Sequence, residues 1–310
     1  MSTGITVLLA AEESAGLQVL RYLVEAGHDV LGVLTDGQGG PGATPASYAG
    51  ARGIPVLPGA AARGADLAGW IAARRVRLLL NVHSLHIAAP AVIAAPGAGA
   101  FNLHPGPLPA YAGLNVPTWA IYRGEGEHAV TVHRMEPKVD GGPIAYETRF
   151  PLDGTETGFS LNARCIREGV PLVRRLVEAV AAGEPVPSRV QEGRRHYFGR
   201  RPPQDGRIGW RRPAASVDRL VRSLDFSPFP ARLGEPRVVC EDRQLTVTRV
   251  ARTGRSVGEA PPGRIRREGD RVQVACADEW IELVRVCRDG TACAPSEGLA
   301  GLDRLPAEAG

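Results

Sequence analysis

Leu78-Leu79-Leu80-Asn81-Val82 and Ala100-Phe101-Asn102-Leu103-His104 are the stretches whose reading decides the fold. The first is an apolar run without alternation, as expected of a parallel strand covered on both faces. Upstream, Ile5–Ala10 and Val30–Leu34 read the same way, and Ile54-Pro55-Val56 reads as a short strand at the rim. Helical spacing lies between them: Leu17, Leu20 and Leu23/Val24 within Gly16–Ala26, then Ala46–Ala51 and Asp66–Arg75. The Gly/Pro-rich stretch Asp36–Gly42 fits no regular element. Strands alternating with helices predict an α/β unit, a Rossmann-like, doubly wound and mostly parallel sheet. Ligands of such sheets sit beyond the C-terminal strand ends. Asn102 and His104 lie at such an end, on one face of their strand. No GxGxxG follows the first strand, which leaves a dinucleotide site without support.

Further along, Val116–Tyr122 reads as a helix. Ala129–Met135 and Pro143–Leu152 alternate like an antiparallel pair, with Asp140-Gly141-Gly142 at the turn. Thr155–Ala182 is helical, with Pro171 a point of interruption. Residues 185–204, rich in proline around a basic centre, read as a linker. Beyond it Val217, Leu220, Val221 and Leu224 mark an amphipathic helix. The short β-like runs Arg237–Cys240, Gln244–Val250, Gly263–Arg266, Arg271–Cys276 and Trp280–Val286 predict a smaller β-barrel (OB-like) C-terminal domain. The expected organisation is a catalytic domain over 1–184, a linker over 185–204, the small β domain over 205–290 and a tail over 291–310. The tail's Ala, Gly and Pro content predicts disorder.

No apolar run approaches the roughly 20 residues that span a bilayer. The N-terminus lacks the basic and apolar regions of a signal peptide, so a cytoplasmic protein is expected. Cys165, Cys240, Cys276, Cys287 and Cys293 form no CxxC pair, and no metal site is expected. Arginine far outnumbers lysine, a compositional bias, and a net charge of +4 permits a polyanionic partner without implying one.

Asn102, His104 and Asp140 are the parts needed to move an acyl group onto an amine. An amide donates to a developing oxyanion, an imidazole moves a proton near neutral pH, and a carboxylate orients the imidazole and balances its charge. No Ser or Cys is placed as a nucleophile, which favours direct transfer.

The block Phe101-Asn-Leu-His-Pro-Gly-Pro-Leu-Pro109, Tyr111-Ala-Gly113, Trp119-Ala-Ile, Val130-Thr-Val-His-Arg-Met135 and Asp140-Gly-Gly-Pro-Ile144 resembles the 10-formyltetrahydrofolate-dependent formyltransferases. Phe198–Gly206, Ile208-Gly-Trp210 and Pro261-Pro-Gly-Arg-Ile265 resemble the C-terminal domain of that family, so the likeness covers nearly the whole chain. It implies that Asn102, His104 and Asp140 are catalytic. It further implies that Asn102 and a protonated His104 stabilise the tetrahedral intermediate. It implies 10-formyltetrahydrofolate as co-substrate, its pterin against Leu85, His86, Ile87, Val139 and Asp140. His83 could share that wall, while His133 reads as a packing residue of an alternating strand.

The resemblance breaks at Gly106, where a serine is common, and at Ala112, where members acting on nucleotide sugars or initiator tRNA usually carry Arg. Gly106, Tyr111 and Asn115 are the candidate acceptor-binding residues. The Tyr111–Asn115 stretch looks closer to formylation domains acting on an aminoacyl group held by a peptide-synthetase carrier. The acceptor is expected to be a small biosynthetic amine: an amino acid, a carrier-bound aminoacyl group or a nucleotide-linked amino sugar. A methionyl-tRNA acceptor is disfavoured because Thr35–Ala46 contains no Lys or Arg to meet phosphates. The band Arg194, Arg195, Arg200, Arg201, Arg211 and Arg212 reads as a solvated linker face. A formyltetrahydrofolate hydrolase and a non-catalytic folate-binding protein stay open, as does formimidoyl in place of formyl.

Overall fold

Strands alternate with helices through the first half of the chain, and seven of those strands build one sheet. The computed structural model describes residues 4–37, 42–230, 233–240 and 243–307. Two compact units emerge. One comprises residues 1–113, 128–150 and 163–198; the other comprises 114–127, 151–162 and 199–310.

In the first unit the order is β1 (Thr6–Ala11), α1 (Glu13–Glu25), β2 (Asp29–Leu34), α2 (Pro45–Gly50), β3 (Val56–Leu57), α3 (Ala65–Ala73), β4 (Leu78–Val82), α4 (Pro90–Ala94) and β5 (Gly99–His104). The chain continues through β6 (Ala112–Gly113), α5 (Val116–Arg123, which belongs to the second unit), β7 (Glu127–Arg134), β8 (Ile144–Pro151), α6 (Gly158–Ala182) and β9 (Tyr197–Phe198). The main sheet runs β3-β2-β1-β4-β5-β7-β8. Its pairs from β3 to β5 are parallel, and β7 joins β5 antiparallel. The expected mostly parallel, doubly wound sheet is therefore present. Leu8, Leu9, Leu78 and Leu80 are almost wholly buried, as strands covered on both faces require. The α1 stripe of Leu17, Val19, Leu20 and Leu23 packs inward while Gln18, Arg21 and Glu25 face out. Thr44, one residue before α2, accepts from the Ser47 amide, and Ser47 reciprocates on the Thr44 amide. Pro171 sits inside α6, which runs on through it; the proline removes one backbone donor without ending the helix.

The second unit contains α7 (Ala214–Ser223), β10 (Arg237–Cys240), β11 (Arg243–Ser256), β12 (Ile265–Glu268), β13 (Arg271–Ala275), β14 (Glu279–Arg288), β15 (Thr291–Cys293) and α8 (Pro295–Gly298). The strands pair antiparallel in the order β10-β11-β14-β13-β12, with β15 on β14. The expected small β domain is present, and register shifts along β11 mark the bulges that bend such sheets. Trp210 is fully buried in its core with Val217, Leu220 and Val221 of α7.

The tail departs from expectation. Leu299, Leu302 and Leu305 are buried in the same core. Arg267 donates to the Leu299 and Leu302 carbonyl oxygens at 2.8 Å. Burying one leucine is worth about 1.5–3 kcal/mol, enough for three spaced leucines to order a stretch whose composition alone reads as disordered.

Candidate active site

Asn102 and His104 stand at the end of β5, and Asp140 lies in the loop between β7 and β8 in a left-handed backbone conformation, φ +50°. The three predicted catalytic residues come together. His104 Nδ1 is 3.7 Å from Asp140 Oδ1, and Asn102 Nδ2 is 3.4 Å from the same oxygen. The other carboxylate oxygen accepts the Gly113 amide at 2.8 Å. His104 Nε2 donates to the Tyr111 carbonyl oxygen at 2.5 Å, which fixes the tautomer and leaves Nδ1 as the basic nitrogen. His133 completes the cluster. It lies opposite Asn102 in the β5–β7 ladder, with Nε2 3.1 Å from Asn102 Nδ2 and 3.3 Å from Asp140 Oδ1. Strand alternation had marked it for packing. Buried it is, but against Asn102 and Asp140, and only the cross-strand register reveals that.

Burial tends to raise the Asp140 pKa, but His104, His133 and the Gly113 amide outweigh it and hold the carboxyl below the usual carboxylate range. Burial pushes His104 down, against the opposing pull of Asp140 and the Tyr111 carbonyl. The resting imidazole is therefore neutral, because a buried cation loses its hydration, and it is free to take up a proton during reaction. His128 is likewise driven down to about 4 by burial, although it donates from Nε2 to the Pro105 carbonyl oxygen at 2.9 Å. With Thr131, whose hydroxyl donates to the Gly106 carbonyl at 2.8 Å, it pins the Pro105-Gly106 loop next to His104.

The segment expected as a linker is structural. Arg189 pairs with Ile144 through two backbone hydrogen bonds. The Gln191 amide donates to the Asp140 and Gly142 carbonyl oxygens at 3.0 and 2.7 Å, and Arg195 donates to the Val139 carbonyl at 2.7 Å. β9 then pairs with β6. Residues 189–198 thus form a strap over the loop that carries Asp140. Arg195, read as part of a solvated band, is committed to that loop. The prolines concealed this: a chain with little regular structure of its own still meets its hydrogen bonds on a neighbour.

The remaining candidates divide. His86 lines a narrow apolar cavity with Asn81 and Met135, and its Nε2 is 2.7 Å from Asp36 Oδ2. Leu85 and Ile87 on either side are exposed, at 70% and 57%. His83 lies 3.5 Å from Glu13 instead. Val139 contributes its carbonyl to the strap. Gly106 is buried, with its carbonyl on Thr131. The Tyr111 ring is buried, stacked on Phe198 and edge-on to His128, so its backbone and not its ring reaches the site. Ala112 is wholly buried in β6, against Leu108 and Ile144; the missing arginine at 112 has no room here. Asn115 precedes α5 in the second unit with φ +55°. Of the loop Thr35–Ala46, residues 38–41 lie outside the described residues.

Residues 45–177 match the formyl transferase family, and residues 201–302 match the formyl transferase C-terminal domain. A methionyl-tRNA formyltransferase of Acidothermus cellulolyticus is 32% identical, the alignment covering 96% of this chain and 97% of that protein. The chain belongs to the formyl transferase family. Among solved structures, the formyl transferase fold is shared with an N-formyltransferase from Helicobacter canadensis in complex with folinic acid and dTDP-3-aminofucose. That match has a TM-score of 0.69 and 16% identity, covering 90% of this chain and 98% of the other. HypX from Aquifex aeolicus in complex with tetrahydrofolic acid matches with a TM-score of 0.64 and 17% identity, over 96% of this chain and 48% of HypX. Among the described residues no helix is long and apolar enough to cross a membrane, and no cluster of His, Cys, Asp and Glu could hold a metal ion.

Proposed function

We propose that this formyl transferase moves a formyl group from 10-formyltetrahydrofolate directly to the primary amine of a small biosynthetic acceptor: an amino acid, a carrier-bound aminoacyl group or a nucleotide-linked amino sugar. The observation that carries the reading is the meeting of Asn102, His104 and an ionised Asp140 at the end of β5. The neutral amine attacks the formyl carbon. An Asn102 N–H stabilises the oxyanion that forms. His104 Nδ1 takes the amine proton and returns it to the departing folate nitrogen, while Asp140 balances the imidazolium. The exposed Leu85 and Ile87 beside His86 offer apolar surface for the flat pterin, with backbone polar groups at hand. Burial pushes the Cys165 thiol, which reaches the Pro105 carbonyl, well above the usual thiol range, which denies the site a thiolate nucleophile. We place the enzyme in the cytoplasm.

Initiator methionyl-tRNA is the second reading, favoured by the end-to-end likeness to the Acidothermus enzyme. Against it stand the acidic and neutral side chains at the strand-end crevice: Glu12, Glu13, Asp36, His83 and His86. Phosphate recognition asks for Lys or Arg there. The test is a panel of amines with 10-formyltetrahydrofolate, read by mass spectrometry, with charged initiator tRNA in parallel. Formylation of a small or carrier-bound amine supports the first reading; formylation of tRNA alone supports the second.

A further inference from the structure

The hydrogen bonds around Asn102 leave its amide no N–H for an oxyanion. His133 Nδ1 is 2.9 Å from the Arg134 carbonyl oxygen, so that nitrogen carries a proton. In the neutral ring Nε2 is then an acceptor. It takes one hydrogen of Asn102 Nδ2 at 3.1 Å, and Asp140 Oδ1 takes the other at 3.4 Å. Both amide hydrogens are used, and the amide oxygen takes the remaining direction. Asn102 is partly exposed, whereas His133 is 2% exposed.

We propose that His133 is a positioning residue whose protonation turns the Asn102 amide over. Nε2, on gaining a proton from solvent, becomes a donor. It bonds Asp140 Oδ1, 3.3 Å away, and requires an acceptor from Asn102. The amide rotates about its terminal bond so that Oδ1 faces His133 and the NH2 group faces the open side. Amide oxygen and nitrogen are nearly alike in size, so the exchange needs no backbone movement. Asp140 loses a neutral amide donor and gains a charge-assisted one. Three charged or titratable groups face or flank the ring. Asp140 Oδ1 lies 3.3 Å from Nε2, and the His104 ring stands edge-on with centroids 6.4 Å apart. Arg134, next in the strand, turns its guanidinium over the Phe101 ring instead. The inference rests on the formyl-transfer reading, since only a reaction with an oxyanion needs the turned amide.

Two variants separate this role from packing. His133→Gln keeps an N–H donor near the Nε2 position at every pH, whereas His133→Met fills the space without one. In His133→Met, kcat is expected to fall by ~10²–10³, the usual effect of losing one oxyanion donor, with KM little changed. His133→Gln should restore most of that loss, and its kcat should not decline on the alkaline side as the wild type's does. Equal losses in both variants, or the same alkaline decline in His133→Gln, overturn the proposal. A second readout needs no activity: NMR of histidine- and asparagine-labelled protein across pH. The Asn102 side-chain amide should shift with the same midpoint as the His133 ring; an amide indifferent to that titration overturns the proposal. Joint titration in a protein that transfers no formyl group would support the coupling and refute the reaction assigned above.

Discussion

The backbone amide of Gly113 donates to Asp140 Oδ2 at 2.8 Å from a residue with φ +95°, where a Cβ would collide with the Phe198 carbonyl oxygen. One atom's absence thus lets β6, β9 and the Asp140 carboxylate meet. Gly113→Ala should cost about 1–3 kcal/mol for the strained backbone and lower kcat at least tenfold through the displaced carboxylate. Urea unfolding and steady-state kinetics check both.

Asn102→Ala and His104→Ala are each expected to lower single-turnover formyl transfer by ~10²–10³ while leaving the circular dichroism spectrum unchanged. Near-wild-type rates in either variant would remove that residue from the mechanism.

The strap gives a third prediction. Gln191→Ala frees two carbonyls of the Asp140 loop, at roughly 1 kcal/mol each. The expected outcome is a fall in kcat of about tenfold, with Kd for the folate donor changing less. Binding by calorimetry beside kinetics separates the two.

Acid should destabilise the first unit through buried histidine. His128 has a folded pKa of about 4 against an ordinary 6.5, so the unfolded chain binds more protons between those values. The stabilisation is full above pH 6.5 and is lost as pH falls towards about 4, amounting to ~3 kcal/mol for this residue. His104 acts in the same direction. Asp140, held below the usual range, contributes stability that persists through this window and is lost only in stronger acid. Urea unfolding from pH 7 to 4 should show the wild type losing more stability than His128→Phe, and equal losses would contradict this assignment.

Much of the fold was legible because its strands are short, apolar and separated by helical spacing. Leu78–Val82 lies where the run of leucines puts it, and β5 ends on His104 as the Asn102/His104 pair demands. What remained hidden depends on distant pairing. The strap 189–198 carries no periodicity because its hydrogen bonds go to the Asp140 loop. His133 becomes a site residue only through its register with Asn102. Ala112, read as a clue to the acceptor, is buried in β6, a place local pattern cannot reveal.

The most direct test of formyl transfer to a non-tRNA amine follows tetrahydrofolate release and acceptor mass together, with purified enzyme, 10-formyltetrahydrofolate and the amine panel. Tetrahydrofolate should appear only with an amine present, in step with one formyl group gained by a small or carrier-bound acceptor. Formate released at full rate without any amine, or formyl gained by initiator methionyl-tRNA alone, would contradict it.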